Sequence, residues 1–297
     1  NTTHKSVPML MSDITACNFD SIYHQKGIIT AFKEAGYQTA FFSNQRYNHS
    51  FIDFFGKEAD TFDFIKEDSL DSAYNPSDDE LLALVAKELS KGNQKQFIVL
   101  HTYGSHFNYR ERYPSEDAFF LPDYPVEAEV KYRDNLVNAY DNTIRYTDSF
   151  LSRLIHMLEE QHVDAAMLYT SDHGEDIFDD SRHLFLHASP VPSYYQLHVP
   201  FLIWMSDTYR EAYPEHWQTV TGNKDKDVSS SCSFFPTMLE LGGVQTSYRN
   251  DSSSVVSPLY TMKPRVYLND HNEPRPLDDL GMKQPDFQKC QVLGIKY

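Results

Sequence analysis

Apolar positions along this chain switch between two periods. The stretch GIITAFKEAG (27–36) sets Ile28, Ile29, Phe32 and Ala35 at helical spacing and closes on a glycine suited to a helix C-terminus. TAFFS (39–43) follows as a short continuous apolar run, the pattern of a buried strand. Ser77 opens S-D-D-E, a capping-box pattern, ahead of the periodic helix ELLALVAKEL. QFIVLH (96–101) is the next strand. A long helix is predicted over 135–161, with Leu136, Ala139, Tyr140, Ile144, Phe150, Leu151, Leu154 and Leu158 as its buried stripe. AAMLYTSD (165–172) and VPFLIWMS (199–206) complete the strands, and a strand-like RVYL lies in a polar, Ser- and Pro-rich stretch beyond about 245.

This alternation predicts an α/β fold with a mainly parallel central sheet and helices on both faces. One domain over 1–297 is expected, with a core at about 1–245 and a small C-terminal elaboration at 246–297. In an open parallel sheet the ligand crevice lies beyond the carboxyl ends of the strands. Three strands here run into polar residues: TAFFS into Asn44 and Gln45, QFIVL into His101 and then His106, AMLYTS into Asp172 and His173. A parallel sheet would bring them to one cleft.

Composition narrows the function. Hydrophobic residues are 40% and charged residues 23% of 297, as in globular proteins. With 26 Lys+Arg against 43 Asp+Glu the net charge is −17, and no nucleic-acid partner is expected of so acidic a chain. The longest apolar run, 199–205, is too short to span a bilayer. The first residues have no apolar signal-peptide core, and the chain opens inside a motif as a fragment would. Cys17, Cys232 and Cys290 have neither zinc-knuckle nor disulfide-framework spacing.

S-D-H-G-E (171–175) is the sharpest chemical signal. An adjacent Asp-His pair at a strand end offers one oxygen and one nitrogen to a divalent cation, and the glycine allows the tight turn that frees both side chains. The competing reading is a helix-capping Asp beside a structural His. His106, in H-T-Y-G-S-H-F, and His187, in L-F-L-H-A-S-P, are candidates to hold a phosphate oxygen or move a proton, against the ordinary packing role of most histidines. The opening T-T-H-K-S-V-P carries hydroxyls just before a predicted helix. There the amides and helix dipole favour an anion, and a metal-bound hydroxyl would be an activated nucleophile. A plain N-cap is the alternative.

Taken in order, T-x-x-S-V-P-x-x-x-S (3–12), N-Q (44–45), L-H-x-x-G-S-H (100–106), N-A-Y-D-N (138–142), S-D-H-G-E, L-H-A (186–188), V-P-F (199–201) and F-F-P-T-M-L-E-L-G-G-V (234–244) resemble the catalytic domain of lipid A phosphoethanolamine transferases. These belong to the sulfatase-like branch of the alkaline phosphatase superfamily. The resemblance implies that Thr3 is the residue that becomes phosphoethanolamine-modified, and that Asp172 and His173, with Thr3, hold one Zn2+. It implies that His106 and His187, with Asn44 and Gln45, face the substrate. A further zinc ligand of the family, a glutamate on a strand before the threonine, lies upstream of this chain. The implied donor is a phospholipid and the implied acceptor lipid A or another glycan. The implied location is the periplasmic side of the inner membrane of a Gram-negative bacterium, through an N-terminal anchor absent from this chain.

Two departures stand out. Met9 occupies the place of a family cysteine after S-V-P, so that disulfide is not retained. Leu10 replaces the arginine of the Cys/Ser-x-Pro-x-Arg sulfatase signature, which argues against a formylglycine sulfatase. The residues by themselves support metal-assisted chemistry on a phosphate or sulfate ester. A sulfatase-like phosphodiesterase or sulfuric ester hydrolase and a degenerate binding domain are the rival readings.

Overall fold

The computed structural model describes residues 1–47, 49–66, 75–92 and 95–295. The chain separates into two compact units that interleave in sequence. The first comprises Asn1–Gly36, His162–Glu175 and His187–Tyr297, the second Tyr37–Gln161 and Asp176–Leu186. In chain order, α1 (Thr3–Met11) and α2 (Ile28–Glu34) open the first unit. The second holds β1 (Gln38–Ser43), α3 (Phe51–Gly56), β2 (Thr61–Phe64), α4 (Glu80–Leu89), β3 (Gln96–His101) and α5 (Arg133–Glu160). β4 (Ala166–Thr170) returns to the first unit, and the hairpin of β5 (Asp176–Ile177) and β6 (Phe185–Leu186) to the second. The remainder is first-unit: α6 (Tyr194–Leu197), β7 (Phe201–Met205), α7 (Asp207–Ala212), α8 (Pro214–Asn223), α9 (Ser230–Leu241), β8 (Val266–Leu268), β9 (Pro274–Pro276) and α10 (Gln284–Val292).

In the second unit β1 lies between β2 and β3, parallel to both, with Ser43 opposite Phe64 on one side and His101 on the other. Thr39 to Ser43 are all buried, which is why β1 reads as a continuous rather than an alternating apolar run. Tyr109, Val126, Leu136, Ala139, Ile177 and Phe178 pack a core against α5. That helix forms where periodicity placed it, but its stripe differs: Ile144 is 49% exposed, while Asn142, Thr143 and Tyr146 are buried. The polar three win the inner face through specific bonds. Asn142 Oδ1 accepts from Phe119 N and Phe120 N, Thr143 Oγ1 meets Ser105 Oγ, and Tyr146 Oη meets Ser77 Oγ.

The capping box expected at Ser77 does not form. α4 starts at Glu80 with Asp79 as an N-cap that makes no side-chain bond, and Ser77 Oγ accepts from Asp79 N. A capping box is present instead on α3, between Ser50 and Asp53.

In the first unit β4 and β7 pair with each other antiparallel, Leu168 opposite Ile203. Among the described residues, parallel pairing is confined to the second unit's β2–β1–β3 sheet. Met205, Tyr209, Leu241, Val255, Val256 and Tyr260 form a core here, and α9 packs on α1 and β4. The stretch beyond 245 is well packed: Leu277, Leu280 and Met282 meet Leu197 of α6, and Asp286, 1% exposed, accepts from Tyr194 N. No helix among the described residues is long and apolar enough to cross a membrane.

Candidate active site

α1 is anchored by its apolar interior half, where Val7 to Met11 are all buried. Its start is set by Thr2, an extended N-cap (φ −145°, ψ 139°) whose carbonyl accepts from Lys5 N and Ser6 N. Neither threonine hydroxyl caps the helix. Thr3 Oγ1 lies instead 3.2 Å from His173 Nε2, across 170 residues of sequence.

β4 delivers the other half of the site. Past its end, Ser171 Oγ donates to His173 O at 2.7 Å and Gly174 N donates to Gln196 O at 3.0 Å. A side chain at 174 has no room, since a Cβ there would sit 2.1 Å from Tyr195 O. His173 Nδ1 is 3.0 Å from Gly174 O. A carbonyl can only accept, so Nδ1 carries the proton and Nε2 is left with its lone pair. Burial pushes the His173 pKa down, and neighbouring His187 adds to this against the opposing charge of Asp172, so the ring is neutral near pH 7.

Asp172 Oδ2 lies 3.5 Å from the same Nε2. Thr3 Oγ1 and Asp172 Oδ2 thus both approach one imidazole nitrogen. Ligand atoms of a tetrahedral zinc at about 2.0–2.1 Å from the metal stand about 3.3 Å apart. The Thr3–His173 and His173–Asp172 separations match that edge length, and a neutral imidazole fixed through its other nitrogen suits a metal ligand. The donor set fits a divalent cation.

His187 stands beside this group. Its ring centroid is 4.0 Å from that of His173, and its Nδ1 is 3.1 Å from Glu175 Oε1. His173, Glu175 and His187 each offer a donor atom within 4.8 Å of the others. Glu175, with its side chain 6% exposed, did not emerge as a site residue from sequence, although it closes the S-D-H-G-E motif that signalled its neighbours.

The other sequence candidates lie in the second unit. Asn44 is 1% exposed; its Nδ2 donates to Pro76 O and Asp78 Oδ1, and its Oδ1 has no hydrogen-bond partner among the described residues. Gln45 is half-buried and its backbone N donates to Ser43 Oγ. His106 is exposed, its Nδ1 2.6 Å from Phe107 O and its ring 5.0 Å from that of Tyr103.

The Sulfatase family model matches residues 1–244, and the chain belongs to that family. Among curated proteins it is similar to phosphoethanolamine transferase EptA of Salmonella typhimurium (strain LT2), 34% identical over 54% of this chain and 30% of that protein. The chain covers less than half the length of this relative. Among solved structures it resembles the zinc complex of the C-terminal periplasmic domain of EptC from Escherichia coli, with TM-score 0.84, 22% identity, and coverage of 94% of this chain and 79% of that one. It also resembles the integral membrane protein lipooligosaccharide phosphoethanolamine transferase A from Neisseria meningitidis, with TM-score 0.75, 25% identity, and coverage of 86% and 48%.

Proposed function

We propose that this chain is the catalytic domain of a phosphoethanolamine transferase that uses Thr3 as nucleophile. The observation that carries the reading is the approach of Thr3 Oγ1 and Asp172 Oδ2 to the same nitrogen, Nε2 of His173. Thr3, Asp172 and His173 would hold one Zn2+, with the upstream glutamate of the family as a further ligand. Bound there, zinc supplies charge that lowers the pKa of a hydroxyl and stabilises negative charge on a phosphoryl oxygen.

The chain's own residues then divide the work of two displacements. Thr3 Oγ1 attacks phosphorus of a phosphatidylethanolamine-type donor; the new bond is Oγ1–P, and the bond to the diacylglycerol oxygen breaks. An acceptor oxygen of lipid A or another glycan next attacks the same phosphorus, and Oγ1–P breaks. Glu175 Oε1, facing His187 Nδ1, fixes that ring with its proton on Nδ1, and Nε2 would give or take a proton at the leaving or entering oxygen. Asn44, Gln45 and His106 are assigned to the substrate side by their match to the family motifs. The names of the relatives support transfer over hydrolysis, a membrane-anchored protein and a periplasmic catalytic domain.

The test is an incubation of the full-length protein with a labelled phosphatidylethanolamine donor, with and without acceptor. Label on Thr3, chased to the glycan on acceptor addition, is the expected result. Label released to water at the same rate in both would make the protein a hydrolase, and label on Ser6 would move the nucleophile.

A further inference from the structure

We infer that Gln196 is a positioning residue for this site, holding the Thr3, His173 and His187 segments in one register; the inference rests on the reading of Thr3 as nucleophile. Gln196 is 0% exposed, on the short helix α6, and no motif of the sequence singles it out. Its polar atoms reach all three segments. The side-chain Oε1 accepts from Asn1 Nδ2 at 2.7 Å and from Ser189 N at 3.4 Å, and Nε2 donates to Ser189 Oγ at 2.9 Å. The backbone O accepts from Gly174 N at 3.0 Å. Asn1 is two residues before Thr3, Gly174 one after His173, and Ser189 two after His187.

The segments are also tied to each other around this residue. Asn1 Nδ2 donates to Ser189 O at 3.0 Å, and Ala188 N donates to Asn1 O at 3.1 Å. His187 itself sits between two non-glycine residues in the left-handed region, Leu186 (φ 65°) and Ala188 (φ 63°). Such a backbone is held by its surroundings rather than by its own preference. Gly174 leaves no gap against Tyr195 O, so α6 cannot shift without moving the Asp172–His173 turn. α6 is in turn fixed by Asp286 Oδ1, which accepts from Tyr194 N at 2.9 Å. Hydroxyl, imidazole and proton donor thus share one buried residue as reference point, the first and last through its side-chain amide and the second through its backbone carbonyl. A displacement of about 1 Å at a reacting group costs up to about 10²-fold in rate.

Three substitutions in the full-length protein separate positioning from bulk stability. Gln196→Met keeps the volume and the backbone bond to Gly174 but loses every side-chain hydrogen bond. Gln196→Glu still accepts from Asn1 and Ser189 N, and the Ser189 hydroxyl can rotate to donate to it. Asn1→Ala, half-buried, removes one arm without touching the core. The expected result is a fall in kcat of about 10²-fold for Gln196→Met with KM for the donor unchanged. The visible d–d spectrum of its cobalt(II)-loaded form should shift, and both should recover in Gln196→Glu. Asn1→Ala should show a smaller kcat loss that is not additive with Gln196→Met. Wild-type kcat and cobalt spectrum in Gln196→Met overturn the inference. So does an equal loss in the Met and Glu variants. If Gln196→Met fails to fold, wild-type kcat in Asn1→Ala overturns it. Failure of the underlying reading looks different: Thr3→Ala would then retain transfer whatever happens at Gln196.

Discussion

Strand ends in the two units, that of β4 in the first and those of β1 and β3 in the second, carry polar residues of the same kind and treat them differently. Beyond β4, the loop is fastened by main chain and by a distant amide: Gly174 N on Gln196 O, Ser171 Oγ on His173 O. Asp172 and His173 are thereby released from structural duty, and His173 engages one nitrogen locally while presenting the other to Thr3. Beyond β1 and β3, side chains do the fastening. Asn44 Nδ2 holds Pro76 O and Asp78 Oδ1, and Asp78 accepts from Tyr103 N and Gly104 N, so one carboxylate ties two loops. A polar residue at a strand end announces that its loop has a task. Whether the side chain is the tool or the fastener depends on what else closes the loop.

The sharpest break between these regions comes from removing the hydroxyl. Thr3→Ala should lower transfer by at least about 10⁴-fold, as loss of a covalent nucleophile does. Its unfolding free energy should change by only about 0.5 kcal/mol, since Thr3 is half-buried and not a helix cap. Mass spectrometry after incubation with donor should find the modified threonine in wild type and none in the variant. Retained turnover would remove Thr3 from the chemistry. Asp172→Asn should abolish the rise in melting temperature that zinc gives the wild type, a mass-action effect that needs no turnover. Equal zinc stabilisation of both proteins would place the metal elsewhere.

Next in size is the proton-transfer pair. His187→Ala should reduce transfer by about 10²–10⁴-fold with zinc content unchanged, and Glu175→Ala should follow in the same direction by orienting loss alone. Zinc lost in step with activity would make His187 a ligand. His106→Ala is the matched variant in the other unit. A comparable loss there keeps it on the substrate side, and unaltered transfer returns it to the exposed surface where its ring lies.

What was legible in the sequence follows from what is local. β1, β3, β4, β7 and α5 came out of apolar periodicity because burial of one stripe or one run determines them. The S-D-H-G-E turn was readable because a strand end, a glycine and two donor types are adjacent. The antiparallel pairing of β4 with β7 was not, since pairing direction is set by the path of the chain between strands and not by the strands themselves. Ile144 was misplaced because hydrophobicity ranks it above Asn142, whereas three hydrogen bonds to the 119–120 backbone outweigh that rank. Gln196 and Glu175 were invisible as partners because their bonds join segments 7 to 195 residues apart.

Asn142 sharpens the comparison from the structural side. It belongs to N-A-Y-D-N, a motif of the resemblance, yet it is 1% exposed and bound to Phe119 N, Phe120 N, Phe120 O and Tyr113 Oη. Asn142→Ala should cost about 1–3 kcal/mol by urea denaturation, because it removes the hydrogen bonds of a buried amide to the Phe119–Phe120 backbone and to the Tyr113 hydroxyl. Turnover per folded molecule should be unchanged. Activity lost without stability would instead make this motif part of the chemistry.

The smallest effect is a pH dependence confined to the same network. Burial, with the hydrogen bond and charge of Asp123 adding to it against the bond from Asn142, pushes the Tyr113 phenol up to about 12. Tyr113 Oη donates to Asp123 Oδ2 at 2.7 Å, and Arg110 Nε stands 3.0 Å from the same carboxylate oxygen. A group whose folded pKa is raised contributes stability that is whole below its unfolded pKa, here about 10, and is lost as pH climbs through the folded value. Tyr113→Phe should therefore cost about 1 kcal/mol at pH 8, the worth of a typical hydrogen bond. The gap to wild type should close between about pH 10 and 12, because the wild type alone has that proton to lose. Urea titrations of both proteins across that window measure it, and a gap that stays constant to pH 12 would mean that the phenol is not held protonated by this pair.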